Sequence, residues 1–364
     1  MTSTPKKKTA PTKAAKVKPQ GKQVAAKKPV AAKKATPAKA PMVPAKAKPA
    51  AKPKAPPAKT KAPPKAPVRN TLKPKSDVAL YQIYYREDQK PHLDPDMEPY
   101  NNIGNANPLL EFNVFSKLLK SGQLKHLRLW GALSWKFSQK SGLTGKQLLE
   151  IIRANPGYDV YYTNPSPQTE AIYHNLWLQG ETSHPDFLAT ARAFFKAANL
   201  PQTKLTELQP SSQFSTANFF VGNQRFWDAY VSFVETTLLL AAKNLPPEIR
   251  QRLLSSSADP RGVHFGASYL PFIVERLFPI FMATSGSDLD AYRYGPATPA
   301  PENVHLQLLR QMKDVAVARN DKWLAVCWVN YRNLYLDRQH GPGWMKQYAA
   351  SITPLTVAFA PAWE

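Results

Sequence analysis

Acidic and aromatic residues are absent from one end of this 364-residue chain. No Asp or Glu precedes Asp77, and residues 1–75 contain no Phe, Tyr or Trp. The same segment holds 22 of the 49 Lys and Arg residues, so it carries +22 of the formal net charge of +24. A segment without aromatic residues cannot bury enough apolar surface to offset the entropy lost on ordering. Residues 1–75 are therefore predicted to form a disordered basic tail.

Cysteine is almost absent from the chain, which has a single one, Cys327. One thiol excludes a disulfide framework and a zinc site built from several cysteines. Cys327 lies in the apolar stretch 323–329, with no obvious basic neighbour. The sequence predicts a buried structural thiol there rather than a nucleophile.

Long apolar segments are also lacking. The stretches 238–242 and 269–283 are either too short to span a bilayer or are interrupted by Glu275 and Arg276. The N-terminus has no apolar signal region, and 15 prolines interrupt its Lys-rich first 75 residues. The expected location is therefore the cytoplasm, with membrane-peripheral and nucleoid-associated positions as the alternatives that the basic tail allows.

The tail is a low-complexity Lys/Ala/Pro segment with local repeats. Ala-Ala-Lys-Lys occurs twice within residues 25–34, and Pro-Ala-Lys occurs at 37–39, 44–46 and 57–59. This composition resembles the tails of linker histones and of bacterial histone-like proteins. Such lysines bind nucleic acid without sequence preference, or tether a protein to anionic lipid at about 1 kcal/mol per residue. A solubilising tail without a specific partner is the alternative.

The remaining 289 residues have 27 basic and 25 acidic residues and contain all 39 aromatic residues of the chain. Strand and helix patterns alternate in the first half and helices follow, which predicts an α/β fold with a mainly parallel sheet and a helical C-terminal portion. We assign 76–284 to the α/β domain and 285–364 to a helical extension packed on it. The predicted strands are 78–85, 126–134, 158–163 and 217–221, and the predicted helices include 109–119, 168–179, 186–198, 224–243, 269–283, 302–319 and 322–338.

Common catalytic and phosphate-binding motifs are missing. The chain has no G-x-G-x-x-G after a strand, no G-x-S-x-G and no H-E-x-x-H. Residues 142–147 resemble a phosphate-binding loop, but Lys140 and Gln147 replace the residues it requires, and Thr144 with Gln147 predicts a helix capping box instead. Among the histidines, His264 is the strongest candidate for a site because glycines flank it.

Two acidic pairs have the D-x-D spacing with which a divalent cation and a diphosphate can be bound. Asp94 and Asp96 enclose a proline and are expected to support a turn. Asp288 and Asp290 follow a predicted helix rather than a strand. The leading prediction is that the protein binds no metal, and Asp288 with Asp290 is the alternative metal site.

Several longer phrases of the folded part are distinctive: LLEF at 109–112, WGALSWKF at 130–137, NPGYDVYYTNP at 155–165, NFFVGNQRFWDAY at 218–230 and YLPFIVERLF at 269–278. Together these phrases resemble a group of glycosyltransferase-like proteins from bacterial surface-polysaccharide gene clusters. The resemblance covers about 78–283 and implies a fold of the nucleotide-diphospho-sugar transferase type.

The resemblance implies roles for particular residues. The first strand, with Tyr84, would lie beside the nucleotide base and ribose. Glu275 would orient or deprotonate an acceptor hydroxyl, and Arg276 would stabilise the diphosphate leaving group. The remaining implied donor residues are Lys136, Asp159, Asn164 and Arg225, and the implied acceptor-side residues are Asn218, Asn223, Trp227 and His264.

The sequence departs from this pattern where a metal-dependent transferase would show D-x-D, because Thr163 and Asn164 stand at that strand end. Either the protein works without manganese or magnesium, with Lys136, Arg225 or Arg276 offsetting the diphosphate charge, or it no longer transfers sugars. The cofactor is therefore left unassigned, with manganese or magnesium as the candidates.

Each of these residues also has a purely structural interpretation. Glu275 and Arg276 can form an ion pair on a helix edge, and Asn164 can begin a turn before Pro165. Asn218 and Asn223 can cap the turn around Gly222, and the tryptophans, Trp227 included, are more often core residues than sugar-stacking platforms.

The leading hypothesis is a glycosyltransferase-like enzyme acting on a nucleotide-sugar and a glycan acceptor. The alternative is a nucleoid-associated, polyanion-binding protein with a non-catalytic folded domain.

Overall fold

The computed structural model describes most of the chain after the basic tail. The predictions of disorder for residues 1–75 and of an acceptor-side role for His264 lie outside the described residues. The described residues are 76–105, 107–255, 268–296 and 302–343.

The centre of the fold is a six-stranded sheet with the strand order β2-β1-β3-β5-β4-β6. Strands β2 and β3 run parallel to β1, and β6 runs parallel to β4. Strand β5 is antiparallel to both of its neighbours, β3 and β4. The α/β class is thus confirmed, and the sheet is mixed. The strands are β1 (Val78–Tyr84), β2 (Glu98–Asn101), β3 (Leu129–Ser134), β4 (Val160–Tyr162), β5 (Phe220–Gly222) and β6 (Ala291–Arg293).

Strand β5 is antiparallel to both β3 and β4, so β4 points in the same direction as β3 and as β1, which is parallel to β3. The C-terminal ends of these three strands therefore lie at one edge of the sheet, which we call the carboxyl edge. The opposite edge, where they begin, is called the amino edge. The segment that follows β5 lies at the amino edge.

Helices cover both faces of the sheet. Helices α1, α6, α7, α9 and α10 pack on one face, and α2 and α3 pack on the other. Helices α11 and α12 pack on each other and beside α4. The helices are α1 (Glu111–Ser121), α2 (Phe137–Ser141), α3 (Gly145–Ala154), α4 (Pro167–Ile172), α5 (Leu176–Ser183), α6 (Phe187–Ala197), α7 (Gln224–Asn244), α8 (Pro247–Leu254), α9 (Leu270–Glu275), α10 (Phe278–Met282), α11 (Val304–Ala318) and α12 (Lys322–His340).

Local sequence signals account for several helix ends. The Thr144 hydroxyl accepts a hydrogen bond from the Gln147 amide at 3.2 Å, and the Thr144 amide donates to the Gln147 side chain at 2.8 Å. The predicted capping box of α3 is therefore confirmed. Gly122 has a φ of +69° immediately after α1, the left-handed conformation in which glycine commonly ends a helix.

Two predicted helices are each divided in two. The helix predicted at 168–179 is divided into α4 and α5, because the Asn175 side chain accepts hydrogen bonds from the Trp177 and Leu178 amides and caps α5. The helix predicted at 269–283 is divided into α9 and α10, with Pro279 in the first turn of α10.

Two edge strands were absent from the prediction. Strand β2 follows the turn predicted at Asp94 and Asp96, and Pro99 is tolerated in it because an edge strand pairs on one side only. Strand β6 is the opposite edge of the sheet. The segment assigned to the helical extension therefore contributes a strand to the central sheet.

Buried polar side chains hold the C-terminal helices against α4. Lys313 has no exposed surface, and its ammonium group donates to the backbone carbonyls of Glu170 and Tyr173. The indole of Trp328 donates to the carbonyl of Ala171 at 2.9 Å. Burial lowers the pKa of Lys313 to about 7. These bonds run from α11 and α12 to one short helix and fix its position.

Helix α12 is apolar on two faces. Ala325 and Trp328 are buried, whereas Trp323 is 83% exposed and Cys327 is also exposed. The prediction of a buried thiol is wrong, because the helical repeat turns Cys327 outward between inward-facing neighbours.

None of the helices in the described part of the chain is both long and apolar enough to cross a membrane.

Candidate functional site

The carboxyl edge of the sheet is the natural position for a site, because loops that follow parallel strands meet there. Tyr84 ends β1 and is followed by Tyr85, and β3 is followed by Trp135 and Lys136. Helix α1 begins at Glu111 and helix α9 ends at Glu275.

Glu111 and Glu275 are both half-buried. Burial, followed by the negative charge of Glu111, raises the pKa of Glu275 to about 7. Burial also raises the pKa of Glu111. Within the described ranges, neither carboxylate has an ion-pair partner. A carboxyl group that titrates near neutral pH is suited to accept or donate a proton.

Two tyrosines complete this group. Tyr230, on α7, is fully buried, and its hydroxyl has no hydrogen-bond partner in the described structure. Burial, and then the charge of Glu275, raise the pKa of Tyr230. Burial and then the charge of Glu111 raise the pKa of Tyr85. We call Tyr85, Glu111, Tyr230 and Glu275 the carboxylate site.

The fold supports the proximity of these residues. The rings of Tyr230 and Phe112, the neighbour of Glu111, have centroids 6.4 Å apart. Tyr230 also packs edge-to-face against Phe278, the first residue of α10 and three positions after Glu275, with ring centroids 6.1 Å apart. Buried polar atoms in proteins are normally hydrogen-bonded. The Tyr230 hydroxyl is therefore a buried polar group whose hydrogen-bonding capacity is not used in the described structure.

Two exposed lysines follow β3 at the same edge. The charge of Lys140, on α2, lowers the pKa of both Glu111 and Glu275. The Lys136 ammonium lies 5.0 Å from the ring centroid of its half-buried neighbour Trp135. These are cationic groups at the carboxyl edge that retain solvent access.

Asp159 and Arg225, both predicted to bind the donor, lie at the amino edge. Asp159 precedes β4 and Arg225 follows the reversed strand β5, so the two meet there with Nη1 3.1 Å from Oδ2. Asn223 donates to the other oxygen of Asp159 at 2.6 Å. The structure therefore separates these residues from Tyr84 and Lys136, because the direction of β5 places them at opposite ends of the strands.

The alternative metal pair belongs to this same amino-edge network. Asp288 forms an ion pair with Arg225 at 2.5 Å, and the Asp290 amide donates to Asp159 at 3.0 Å. Among the residues that the structure describes, no group of three or more His, Cys, Asp or Glu side chains is arranged to hold a metal ion. The D-x-D spacing at 288–290 thus supports loop structure.

Arg276 is buried and turned into the protein. Its Nε donates to the Leu176 carbonyl at 2.9 Å, and its Nη2 donates to the Gln179 side chain at 2.6 Å. The guanidinium carbon also lies 4.9 Å from the ring centroid of Phe187. Burial lowers the pKa of Arg276 to about 10. The residue joins α9 to α5, so the expected contact with a diphosphate is not available to it.

Asn164 lies at the carboxyl edge, after β4, but both ends of its amide have partners within the fold. Its nitrogen donates to Glu170 at 2.7 Å, and its oxygen accepts from the Thr216 hydroxyl at 2.7 Å. Glu170 is buried and forms ion pairs with Arg293 and Arg310. Asn164 therefore organises the start of α4, close to the turn interpretation of the sequence.

The predicted acceptor-side residues are dispersed. Asn223 caps α7 by accepting a hydrogen bond from the Phe226 amide at 2.9 Å. Trp227 is 0% exposed and is stacked on Trp130 with centroids 4.2 Å apart, so it is a core residue rather than an acceptor platform. Asn218 is buried before β5, and its side-chain oxygen has no hydrogen-bond partner in the described structure.

Of the predicted residues, the structure brings Tyr84, Lys136, Asn164 and Glu275 to the carboxyl edge. Tyr84 is buried there, with the Lys90 ammonium 5.5 Å from its ring centroid. The sequence prediction missed Tyr85, Glu111 and Tyr230. A signal for Glu111 was present, since it is the acidic residue of the LLEF phrase at a predicted helix start.

Comparisons of the chain with protein-family models, with curated proteins and with solved structures gave no match. The function must therefore be inferred from the chemistry of the carboxylate site.

Proposed function

We propose that this protein transfers a sugar from a nucleotide-sugar donor to a hydroxyl group of a glycan or related acceptor. The observation that carries the proposal is the carboxylate of Glu275, whose pKa of about 7 suits a general base at neutral pH. Its position at the carboxyl edge, where α/β proteins bind ligands, supports the same function. The resemblance of the sequence phrases to glycosyltransferase-like proteins supplies the reaction class.

In the proposed reaction, Glu275 accepts the proton of the acceptor hydroxyl while the hydroxyl oxygen forms a bond to the anomeric carbon. The bond between that carbon and the diphosphate breaks, and the diphosphate leaves with the electron pair. Lys136 and Lys140, which are exposed at this edge, would stabilise its negative charge. Glu111 keeps the proton affinity of Glu275 high through its neighbouring charge.

A manganese or magnesium ion has no step in this reaction. At the strand end where a metal-dependent transferase places its carboxylates, this chain has Thr163 and Asn164. The Asn164 amide is already hydrogen-bonded to Glu170 and Thr216. These residues do not fit the oxygen-rich coordination that either ion requires.

A panel of UDP-, GDP-, CMP- and dTDP-sugars should identify the donor by thermal shift on the full chain. We expect one nucleotide class to raise the melting temperature, because a ligand that binds only the folded state stabilises it. Lys136→Ala and Lys140→Ala should each weaken that donor about tenfold, as expected for the loss of one charged hydrogen bond. Lys243→Ala, an exposed lysine at the end of α7, is the control. No response to any donor, with or without manganese, would contradict the proposal.

A second candidate is favoured by the charge of +22 on residues 1–75. In this function the protein is a polyanion-binding, nucleoid-associated protein whose folded domain is a scaffold, or the tail holds the enzyme near an anionic acceptor or membrane. The two functions are compatible, since they use different parts of the chain.

Deleting residues 1–75 should reduce binding to duplex DNA to the background signal of the assay. For the full chain, a plot of log affinity against log salt concentration should fall with a slope of about −0.9 for each phosphate neutralised. Fluorescence anisotropy between 50 and 200 mM salt, roughly the range over which such binding weakens steeply, measures both effects. Unchanged DNA affinity after the deletion would exclude the tail as the binding segment.

A further inference from the structure

We propose that the outward face of α11 and α12 is the interface of a homodimer, in which the two α12 helices pack antiparallel about Asn330. This inference does not depend on the proposed sugar transfer. It rests on exposed apolar side chains, on their spacing about Asn330, and on two charged residues that have no ion-pair partner within the described residues.

Exposed apolar side chains are concentrated on these two helices. Eleven large apolar side chains are exposed in the described residues, and six of them lie on α11 and α12. Trp323 is the most exposed of all eleven. We call these six residues the outer apolar face: Val304, Leu308 and Val315 on α11, and Trp323, Val326 and Leu334 on α12.

The outer apolar face is turned away from the rest of the described protein. Ala325 and Trp328 are buried on the opposite side of α12. Three residues join α11 to α12, and the ring of His305 lies 6.0 and 5.9 Å from the ring centroids of Tyr331 and Tyr335. The two helices are therefore antiparallel neighbours, and their outward side chains form one layer. Exposed apolar patches of this kind mark interaction sites.

The exposed side chains of α12 are spaced symmetrically about Asn330, which is itself exposed. Val326 is four positions before Asn330 and Leu334 is four positions after it, on the same side of the helix. When two α12 helices cross antiparallel at Asn330, Val326 of each chain is level with Leu334 of the other. The two Asn330 amides meet at the centre, where each offers a donor and an acceptor. A surface that is complementary to itself fits a twofold dimer.

Charges at the two ends of α12 match the same pairing. Lys322 is eight positions before Asn330, and Asp337 is seven positions after it. Both are exposed, and neither has an ion-pair partner within the described residues. At a rise of about 1.5 Å per residue, Lys322 of one chain is level with Asp337 of the other to within about 1.5 Å. A parallel pairing would instead place like charges together at both ends.

The size of the face agrees with a dimer of moderate affinity. Helix α12 has 19 residues and is therefore about 28 Å long. Two helices packed side by side are about 20 Å wide, so the layer offers roughly 560 Å² on each copy. Stable specific interfaces begin at about 600 Å² on each partner. We expect a dissociation constant on the order of micromolar.

A membrane surface matches the outer apolar face less well. Helices that lie on anionic lipid carry mainly lysine and arginine beside their apolar side. On α12 the acidic Asp337 and the uncharged Asn330 are exposed with the apolar residues. A second copy of the chain offers a partner to each of these two side chains.

Sedimentation of the full chain, freed of nucleic acid, should show a dimer that dissociates on dilution between about 100 and 1 μM. Trp323→Ala should raise the dissociation constant at least about 30-fold, the loss typical of a large aromatic anchor. Leu239→Ala, which removes an exposed side chain of α7, is the control. In solutions too dilute for the dimer, Trp323→Ala should unfold in urea like the natural chain, because Trp323 is exposed in the monomer.

A charge exchange tests the antiparallel arrangement. Lys322→Asp and Asp337→Lys each place like charges together and should each weaken the dimer severalfold. The two substitutions combined in one chain restore opposite charges and should return the dissociation constant close to its natural value. Both residues are exposed, so these variants are expected to fold.

A disulfide measures the approach of the two helices at their centre. Asn330→Cys, made in a Cys327→Ser chain, should oxidise to a covalent dimer at least tenfold faster than Gln251→Cys in the same chain. Gln251 is exposed on α8, outside the outer apolar face. The twofold axis brings the two copies of position 330 within the distance that a disulfide requires.

A chain that is monomeric at every concentration would overturn the proposal. Equal rates of disulfide formation at positions 330 and 251, or a charge exchange that does not restore the dimer, would overturn the antiparallel pairing about Asn330. A monomeric chain whose binding to phosphatidylserine vesicles is lost in Trp323→Ala would assign the face to an anionic membrane instead.

Discussion

Replacing Glu275 by glutamine is expected to lower the rate of sugar transfer by about 10²–10⁴-fold, which is the contribution typical of a general base. Glutamine has nearly the same shape but cannot accept the proton of the acceptor hydroxyl. Donor affinity should change little, because the diphosphate is expected to contact Lys136 and Lys140 instead. A lower kcat with an unchanged donor Kd, compared with Glu248→Gln as the control, would assign Glu275 to the chemical step.

The pH dependence provides an independent check of the same residue. The pKa of Glu275 is about 7, so activity should rise as pH increases through 7, where the carboxylate form becomes dominant. Glu111→Gln removes the neighbouring charge that helps to raise this pKa. Its activity profile should therefore move to lower pH. An unshifted profile would show that the two carboxylates do not act on each other.

The stability of the Glu275→Gln variant shows whether a loss of activity comes from the chemical step or from a loss of folded protein. Because the pKa is raised in the folded protein, the stabilisation due to proton binding is complete below the ordinary pKa of glutamate and is lost as pH rises through about 7. Glutamine does not undergo this loss. At pH 8 the variant should be at least as stable as the natural protein. If its melting temperature falls together with its activity, the effect is structural.

Replacing Trp227 by alanine should lower the free energy of unfolding by about 3–5 kcal/mol, the cost typical of removing a large buried aromatic side chain. The indole has no exposed surface and is stacked on Trp130 with a 13° angle between the rings. Its N–H donates to the carbonyls of Trp130 and Gly222 at 3.0 and 3.1 Å. The residue thus joins β3, β5 and α7 at the centre of the sheet.

Urea denaturation measures this loss, and Trp323→Ala is a matched control. Trp323 is 83% exposed, and surface substitutions usually change stability by less than about 0.5 kcal/mol. A stable Trp227→Ala variant with weakened acceptor binding would restore the acceptor-side role that the sequence suggested. A large loss of stability confirms the core position.

The sequence predicted those elements whose signals are local. Helix α7, predicted at 224–243, extends from Gln224 to Asn244, and Thr144 and Gln147 cap α3 as their spacing indicates. Strand β1 was predicted at 78–85 and ends one residue earlier. In each case the determining residues are within a few positions of one another. Hydrophobic periodicity or a single side-chain cap was sufficient.

The direction of β5 could not be predicted in the same way, and it decided the composition of the site. A short strand has the same alternation of residues in either direction, and pairing with β3 and β4 depends on contacts far along the chain. Reversal of β5 takes Arg225 to the amino edge, where it binds Asp159. Tyr230 came to the carboxylate site by tertiary packing of α7, which no local pattern in the sequence indicates.

The outward position of Cys327 on α12 has a practical consequence. Cys327 is the only cysteine in the chain, so a maleimide dye would react at one known position. That position is on a helix remote in sequence from Glu275. Air oxidation can join two molecules through this thiol and cannot extend to a third. A covalent dimer in a non-reducing gel would therefore be the largest disulfide-linked species, and a reducing agent would return it to monomeric chains.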